Sequence, residues 1–140
     1  MKRLLFVAVL ALSFSVAAIA PASTTSFVGS FEEGGLMNFH LKKRNGHQTI
    51  RGFEWGDGVP TTCSLLGSGT ITGNMHSRIR VKDNKFRKTE NIGIGTQRVT
   101  GRFTSKHKAK GTLRVQAALG PPAGDCDTGK LHWTAATDEG

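Results

Sequence analysis

The chain reads as an all-β protein, an antiparallel β-sandwich of the jelly-roll or Ig-like kind with about eight short strands. Three observations carry this. Apolar and polar residues alternate with period two in several stretches, and Met37, Phe39 and Leu41 against Asn38, His40 and Lys42 are the clearest. The 18 glycines of the 140 residues all follow an apolar leader, a density suited to turns and not to helices. Beyond that leader no segment carries an apolar period of a helix.

Residues 1–22 read as a secretory signal. Met1-Lys2-Arg3 supplies the positive start, Leu4 to Ala20 the uncharged core, and Ala20-Pro21-Ala22 a small-residue cleavage site. Cleavage is expected after Ala22, because a cut after Ala20 would leave the Pro21 ring at the new terminus. The apolar run is at the short limit for a membrane span, and no second run follows. No cysteine stands at its end for a lipid to attach. The expectation is a secreted or extracytoplasmic protein with no membrane attachment once the signal is gone. Cleavage removes Lys2 and Arg3 from the 19 basic residues and none of the 10 acids, which leaves a mature net charge of +7.

Along the mature chain, 23–29 reads as a flexible leader, 30–136 as the sandwich domain and 137–140 as a disordered tail. Met37 to Lys42 forms the first strand. Asn45-Gly46 makes a two-residue turn, since both residues tolerate positive φ. The chain returns through Gln48 to Glu54, and the odd spacing of Ile50 and Phe53 predicts a bulge near Gly52. Trp55 to Gly69 reads as a loop, broken by Gly56, Gly58 and Pro60. Short strands follow at Gly69–Thr72, Arg78–Lys82 and Lys85–Arg87, with Asp83-Asn84 as the turn between the last two. Asn91 to Gln97 reads as a loop. A second hairpin joins Arg98–Thr104 to Gly111–Gln116, with Val99, Phe103, Leu113 and Val115 inward. Gly120 to Gly124 is an irregular loop, and Lys130–Ala135 closes the domain with Leu131 and Trp133 inward.

Cys63 and Cys126 are the only cysteines. In an oxidising compartment they are expected to pair, and free thiols or a metal site fit an exported chain less well. Closing so long a loop stabilises a fold by roughly 4 kcal/mol on the chain-entropy model.

Several segments carry a resemblance. Arg80-Val-Lys-Asp-Asn-Lys-Phe86, Val99-Thr-Gly-Arg-Phe103, Ala109-Lys-Gly-Thr-Leu-Arg114, Cys126-Asp-Thr-Gly129 and Trp133-Thr-Ala135 together resemble a group of small exported bacterial β-sandwich proteins of unassigned function. The resemblance spans most of residues 30–136. It implies a sandwich and a Cys63–Cys126 pair, and it brings no catalytic residue.

No enzyme signature stands out. Leu66-Gly67-Ser68-Gly69-Thr70 does not fit the strained-turn serine motif, and no helix exists to cradle phosphate behind Gly93-Ile-Gly95. His40, His47, His76, His107 and His132 lack metal-ligand spacing. Asp125 and Asp127 read as local turn acceptors and not as a calcium site. The expectation is therefore no catalytic residue, metal or cofactor.

Two binding surfaces remain. Alternation sets Arg78, Arg80 and Lys82 outward on one hairpin and Arg98, Arg102 and Arg114 outward on another. Lys106, Lys108 and Lys110 lie at the second hairpin's tip. If these strands share a sheet, one face is strongly basic and attracts anionic envelope or extracellular polymers. The same positions also suit edge protection and solubility. Nucleic acid is disfavoured, because no aromatic platform lies among the cations and no helix is available for a groove. The second surface is Glu54, Trp55 and Asp57, a carboxylate pair flanking an aromatic, as a glycan-binding module or a small carbohydrate-active enzyme would use. The reading is an exported, monomeric, non-catalytic binding module, with the carbohydrate site as its alternative.

Overall fold

A computed structural model describes residues 18–139 of the chain. Most of residues 1–22, the segment expected to be a signal, lies outside the described residues, and Ala18–Ala22 precede the first strand without regular structure. Ten strands follow in order: β1 Ser23–Phe31, β2 Leu36–Arg44, β3 His47–Cys63, β4 Gly67–Asn74, β5 Ile79–Val81, β6 Lys85–Asn91, β7 Gly95–Phe103, β8 Lys108–Ala118, β9 Asp125–Asp127 and β10 Leu131–Ala136. The described residues contain no helix.

The architecture is a barrel, which corrects the sandwich expectation. Antiparallel pairing runs β1–β2–β3–β9–β8–β10 and returns to β1, closing a ring of six strands. Strands β4, β5, β6 and β7 lie outside that ring. They are linked to it as well, because β4 and β5 pair with β3, and β7 pairs with both β6 and β8. Closure of this kind leaves fewer bare edges than two stacked sheets would.

Two segments expected to be irregular make the ring possible. The first is Ser23–Ser30, which pairs residue by residue with β2, while Val28–Phe31 pairs with β10. A leader expected to be flexible is thus a ring strand, with Phe27 fully buried. The second is Trp55–Cys63, expected to be a loop but continuous with β3. Gly52, Asp57 and Gly58 have positive φ, and the register shifts beside Gly52 and again between Trp55 and Val59. These residues bend one 17-residue strand and do not end it. Pro60 opposes Thr70 on β4, at a point between the stretches of β3 that β2 and β9 pair.

The turn chemistry is as expected. Asn45 and Gly46 both have positive φ, as do Asp83 and Asn84, where the Lys82 and Lys85 backbones exchange two hydrogen bonds of 2.9 Å. The second hairpin extends further than expected, through Gly95–Phe103 and Lys108–Ala118. Val99 opposes Leu113, whereas Phe103 opposes Ala109 and Val115 opposes Gln97. Thr137 is held by its amide to the His107 carbonyl and by its hydroxyl to the His107 ring, both at 3.0 Å, so ordered structure runs past Ala136.

The core is aromatic. Phe27 stacks on Phe39 at 4.8 Å, Phe39 on Phe53 at 5.7 Å, and Trp133 meets Phe39, Phe53 and Phe86 at 5.7–6.0 Å. Phe86 on the outer β6 also reaches Phe39 on the ring's β2. One core therefore serves ring and outer strands together. Cys63 and Cys126 stand directly opposite on β3 and β9 and are joined by a disulfide, at the point where the short β9 completes the ring.

Candidate functional site: a cationic groove floored by glycine

The sheet β6–β7–β8–β10 brings together three rows of residues. One row runs Lys85, Arg102, Lys110 and Thr134, and another runs Arg87, Thr100, Thr112 and His132. Between them runs Phe86, Gly101, Gly111 and Trp133. Alternation sends the two polar rows outward and the middle row inward. The β5–β6 hairpin continues the outer face, because the Lys82–Lys85 bridge sets Arg80 and Lys82 beside it.

The middle row explains the two glycines. Neither has positive φ, so the backbone does not require glycine. A Cβ at Gly101 would collide with the Phe86 ring and lie 2.7 Å from Trp133 Cζ2. One at Gly111 would run into the Thr100 carbonyl and lie 2.6 Å from the same atom. Missing side chains there let the Phe86 and Trp133 ring edges lie against the backbone. A groove of about 810 Å³ lies against this region. Arg80, Lys82, Lys85, Arg87, Arg102 and Lys110 line it, with Glu32 as its one acid among the described residues.

The expected basic residues divide. Arg80, Lys82 and Arg102 line this groove, whereas Arg78, Arg98 and Arg114 do not. Arg114 is held elsewhere by Asp127, with Nε donating at 3.1 Å and Nη2 at 2.7 Å. The hydrogen bond and charge of Asp127 raise the Arg114 pKa, and Arg114 foremost holds the Asp127 carboxyl low. Lys85, Arg87 and Lys110 complete the groove in their place. The signal for them was present in the alternation of Lys85-Phe86-Arg87, but only strand pairing shows which cations converge. At the groove's edge the amide of His132 donates to the Glu33 carboxylate at 3.0 Å, with its ring 3.1 Å away. Burial would raise the Glu33 pKa, and these contacts outweigh it and lower it.

The residues of the alternative site lie on β3. Trp55 is a core residue, 5% exposed and 6.4 Å from Phe53, and so presents no face on which a sugar ring could stack. Glu54 and Asp57 are exposed, and Asp57 sits in the bulge with φ of 52°. Trp133, expected inward, is 1% exposed. Asp127 is occupied by Arg114, Gln116 and the Gly129 amide.

Fold and site define a small disulfide-closed β-barrel with a cation-lined groove across β5, β6, β7, β8 and β10. Comparison with protein-family models, curated proteins and solved structures finds no match to this chain.

Proposed function

We propose that this protein is an exported, non-catalytic binding module of the cell envelope or extracellular space, and that it holds anionic polymers in the groove of β5–β8. The observation that supports this most is the convergence of six basic side chains from four sequence segments around one depression with a single acid among the described residues. Like charges gathered so closely repel one another, and an anionic ligand relieves that repulsion. The floor is backbone and aromatic edge, so a flexible polyanion can lie across the strands with phosphate, sulfate or carboxylate groups between the two outward rows.

The test uses the oxidised chain beginning at Ser23, the first residue of β1. It is mixed with insoluble cell wall and with soluble anionic or neutral polysaccharides, and depletion is followed across a salt series. Anionic polymers should bind, and binding should fade as salt rises. Reversing Lys85, Arg102 and Lys110 together to Glu should abolish it, while Arg114→Glu should leave most of it. Anionic binding that survives the triple reversal would overturn the proposal.

A further inference from the structure

Among the described residues strand β4 is paired on one side only, with β3. The register shows which of its backbone groups are left over. Pro60 opposes Thr70 and has no N–H to donate, so theirs is not the kind of pair that exchanges two hydrogen bonds. The Met75 amide donates to the Phe53 carbonyl at 2.8 Å, which sets the odd-numbered residues of this stretch toward β3. The Asn74 carbonyl points the other way and accepts from Gln97 Nε2 at 2.8 Å. By the same alternation the amides and carbonyls of Ser68, Thr70 and Thr72 point outward, and all three residues are exposed. Among the described residues these groups have no backbone partner.

The edge is also unguarded. An apolar cavity of about 400 Å³ lies between β4 and the β6–β7 hairpin, so that hairpin does not cover it. Trp55 and Ile71 line this cavity, and Ile94 and Leu119, each about half exposed, form its rim. Gly67–Asn74 holds no charged residue and no proline, and from Gly67 to Ile71 its pairing with β3 is unbroken. Charges, prolines and bulges are the devices that keep an exposed edge from pairing. Residues 52–77 contain none of the chain's 19 Lys and Arg residues. This is therefore the side on which a second cationic molecule meets least repulsion.

We propose that β4 pairs antiparallel with β4 of a second copy, about a two-fold axis at Thr70. In that register the edge is complementary to itself. Thr70 meets the partner's Thr70 and Ser68 meets the partner's Thr72, each pair exchanging two backbone hydrogen bonds. Ile71, the one large apolar side chain of β4, falls opposite the partner's Gly69. Within one copy Gly69 has no other explanation, because its φ is not positive and a Cβ there would meet only the Thr61 methyl, at 3.9 Å. Leu66, 63% exposed, comes beside the partner's Asn74. Where the proposed polymer binding holds, the dimer presents two grooves to one polymer chain and gains affinity from both. The pairing itself does not depend on that reading, and its test contains no polymer.

The oxidised chain beginning at Ser23 is followed by sedimentation over a concentration series. The mass should rise from one chain to two, and the amides of Ser68, Thr70 and Thr72 should gain exchange protection in step with the dimer fraction. Thr70→Pro removes an outward N–H that β3 does not use, and should weaken association at least about tenfold in folded protein. Thr70→Lys sets like charges face to face at the axis and should do the same. Where Thr70→Pro fails to fold, Thr70→Lys decides. A chain that stays monomeric up to about 1 mM overturns the inference. So does a dimer that survives these substitutions.

Discussion

The two tryptophans occupy similar settings at different places in the barrel. Trp133 lies under Gly111 and Gly101, and Trp55 lies under Gly73, each glycine a cross-strand neighbour or one strand further on. Both indole nitrogens are buried without partners. Around Trp133 the outward rows are Lys and Arg, and the depression above it is cationic. Beside Trp55 the lining is Ile71, Val115 and Ala117 with an Ile94–Leu119 rim, and the cavity is apolar. The comparison teaches that a glycine opposite a tryptophan only opens the space. The residues flanking the glycine decide what can enter it.

The largest expected effect separates the two rings. Trp133 touches Phe39, Phe53 and Phe86, whereas Trp55 has only Phe53 as an aromatic neighbour among the described residues and lies beside a cavity. Trp133→Ala should destabilise by about 3–5 kcal/mol and Trp55→Ala by less, as urea midpoints would show. Equal losses would mean that the Trp55 end is packed as tightly as the other.

Next comes the disulfide, which belongs to the Trp55 end. Replacing Cys63 and Cys126 by Ala should cost about 2–5 kcal/mol in melting experiments. Amide exchange should rise first in β9 and at the Cys63 end of β3, and later in β6 and β7. Uniform opening would argue that the two ends unfold as one.

Acid should act where the Trp55 end meets β6 and β7, through Glu90, which holds Gln97 and the His76 amide. Burial would raise the Glu90 pKa, but hydrogen bonds from Ser77, Gln97 and the His76 amide outweigh it and lower the group from 4.5 to about 2. The carboxylate is thus favoured in the folded state. Its contribution, about 3 kcal/mol, is complete above the ordinary value and is lost as pH falls from about 4.5 through 2. Glu90→Gln should flatten that part of the stability–pH curve, and an unchanged slope would remove Glu90 from the account.

Glycine substitutions should cost less and differ in kind. A Cβ at Gly111 meets the Thr100 carbonyl, part of the backbone, so Gly111→Ala should destabilise by about 1–3 kcal/mol. At Gly73 the obstacle is a side-chain ring and not backbone, so Gly73→Ala should cost less by the same urea measurement. The smallest effect is expected at Arg114, whose pairing with Asp127 is exposed. Arg114→Ala should barely move the melting temperature, and a large loss would show that the pair anchors β9.

Much of the barrel was legible before any coordinates. Positive φ at Asn45-Gly46 and Asp83-Asn84 follows from residue chemistry alone, and so does the bulge at Gly52. The inward set Met37, Phe39, Leu41, Val99, Leu113, Leu131 and Trp133 follows from period two. Residues 55–63 were misread because Gly and Pro mark bends as well as ends. A strand paired on both sides can absorb a bulge that an isolated strand could not. Ser23–Ser26 was misread because four polar residues carry no periodic signal, yet their backbone still completes the β1–β2 ladder.

Sequence alone thus determined that the chain forms strands, where its tight turns fall, which side chains of its clearly alternating strands face inward and that its two cysteines have only each other. These properties depend on the local conformational limits of each residue and on a period of two. Tertiary structure decided that the sheet closes into a ring, that Lys85, Arg87 and Lys110 join Arg80, Lys82 and Arg102 while Arg114 turns to Asp127, and that Trp55 is buried beside a cavity. Each of these depends on which strands become neighbours. Pairing between strands distant in sequence is set by long-range packing, and no local turn encodes it.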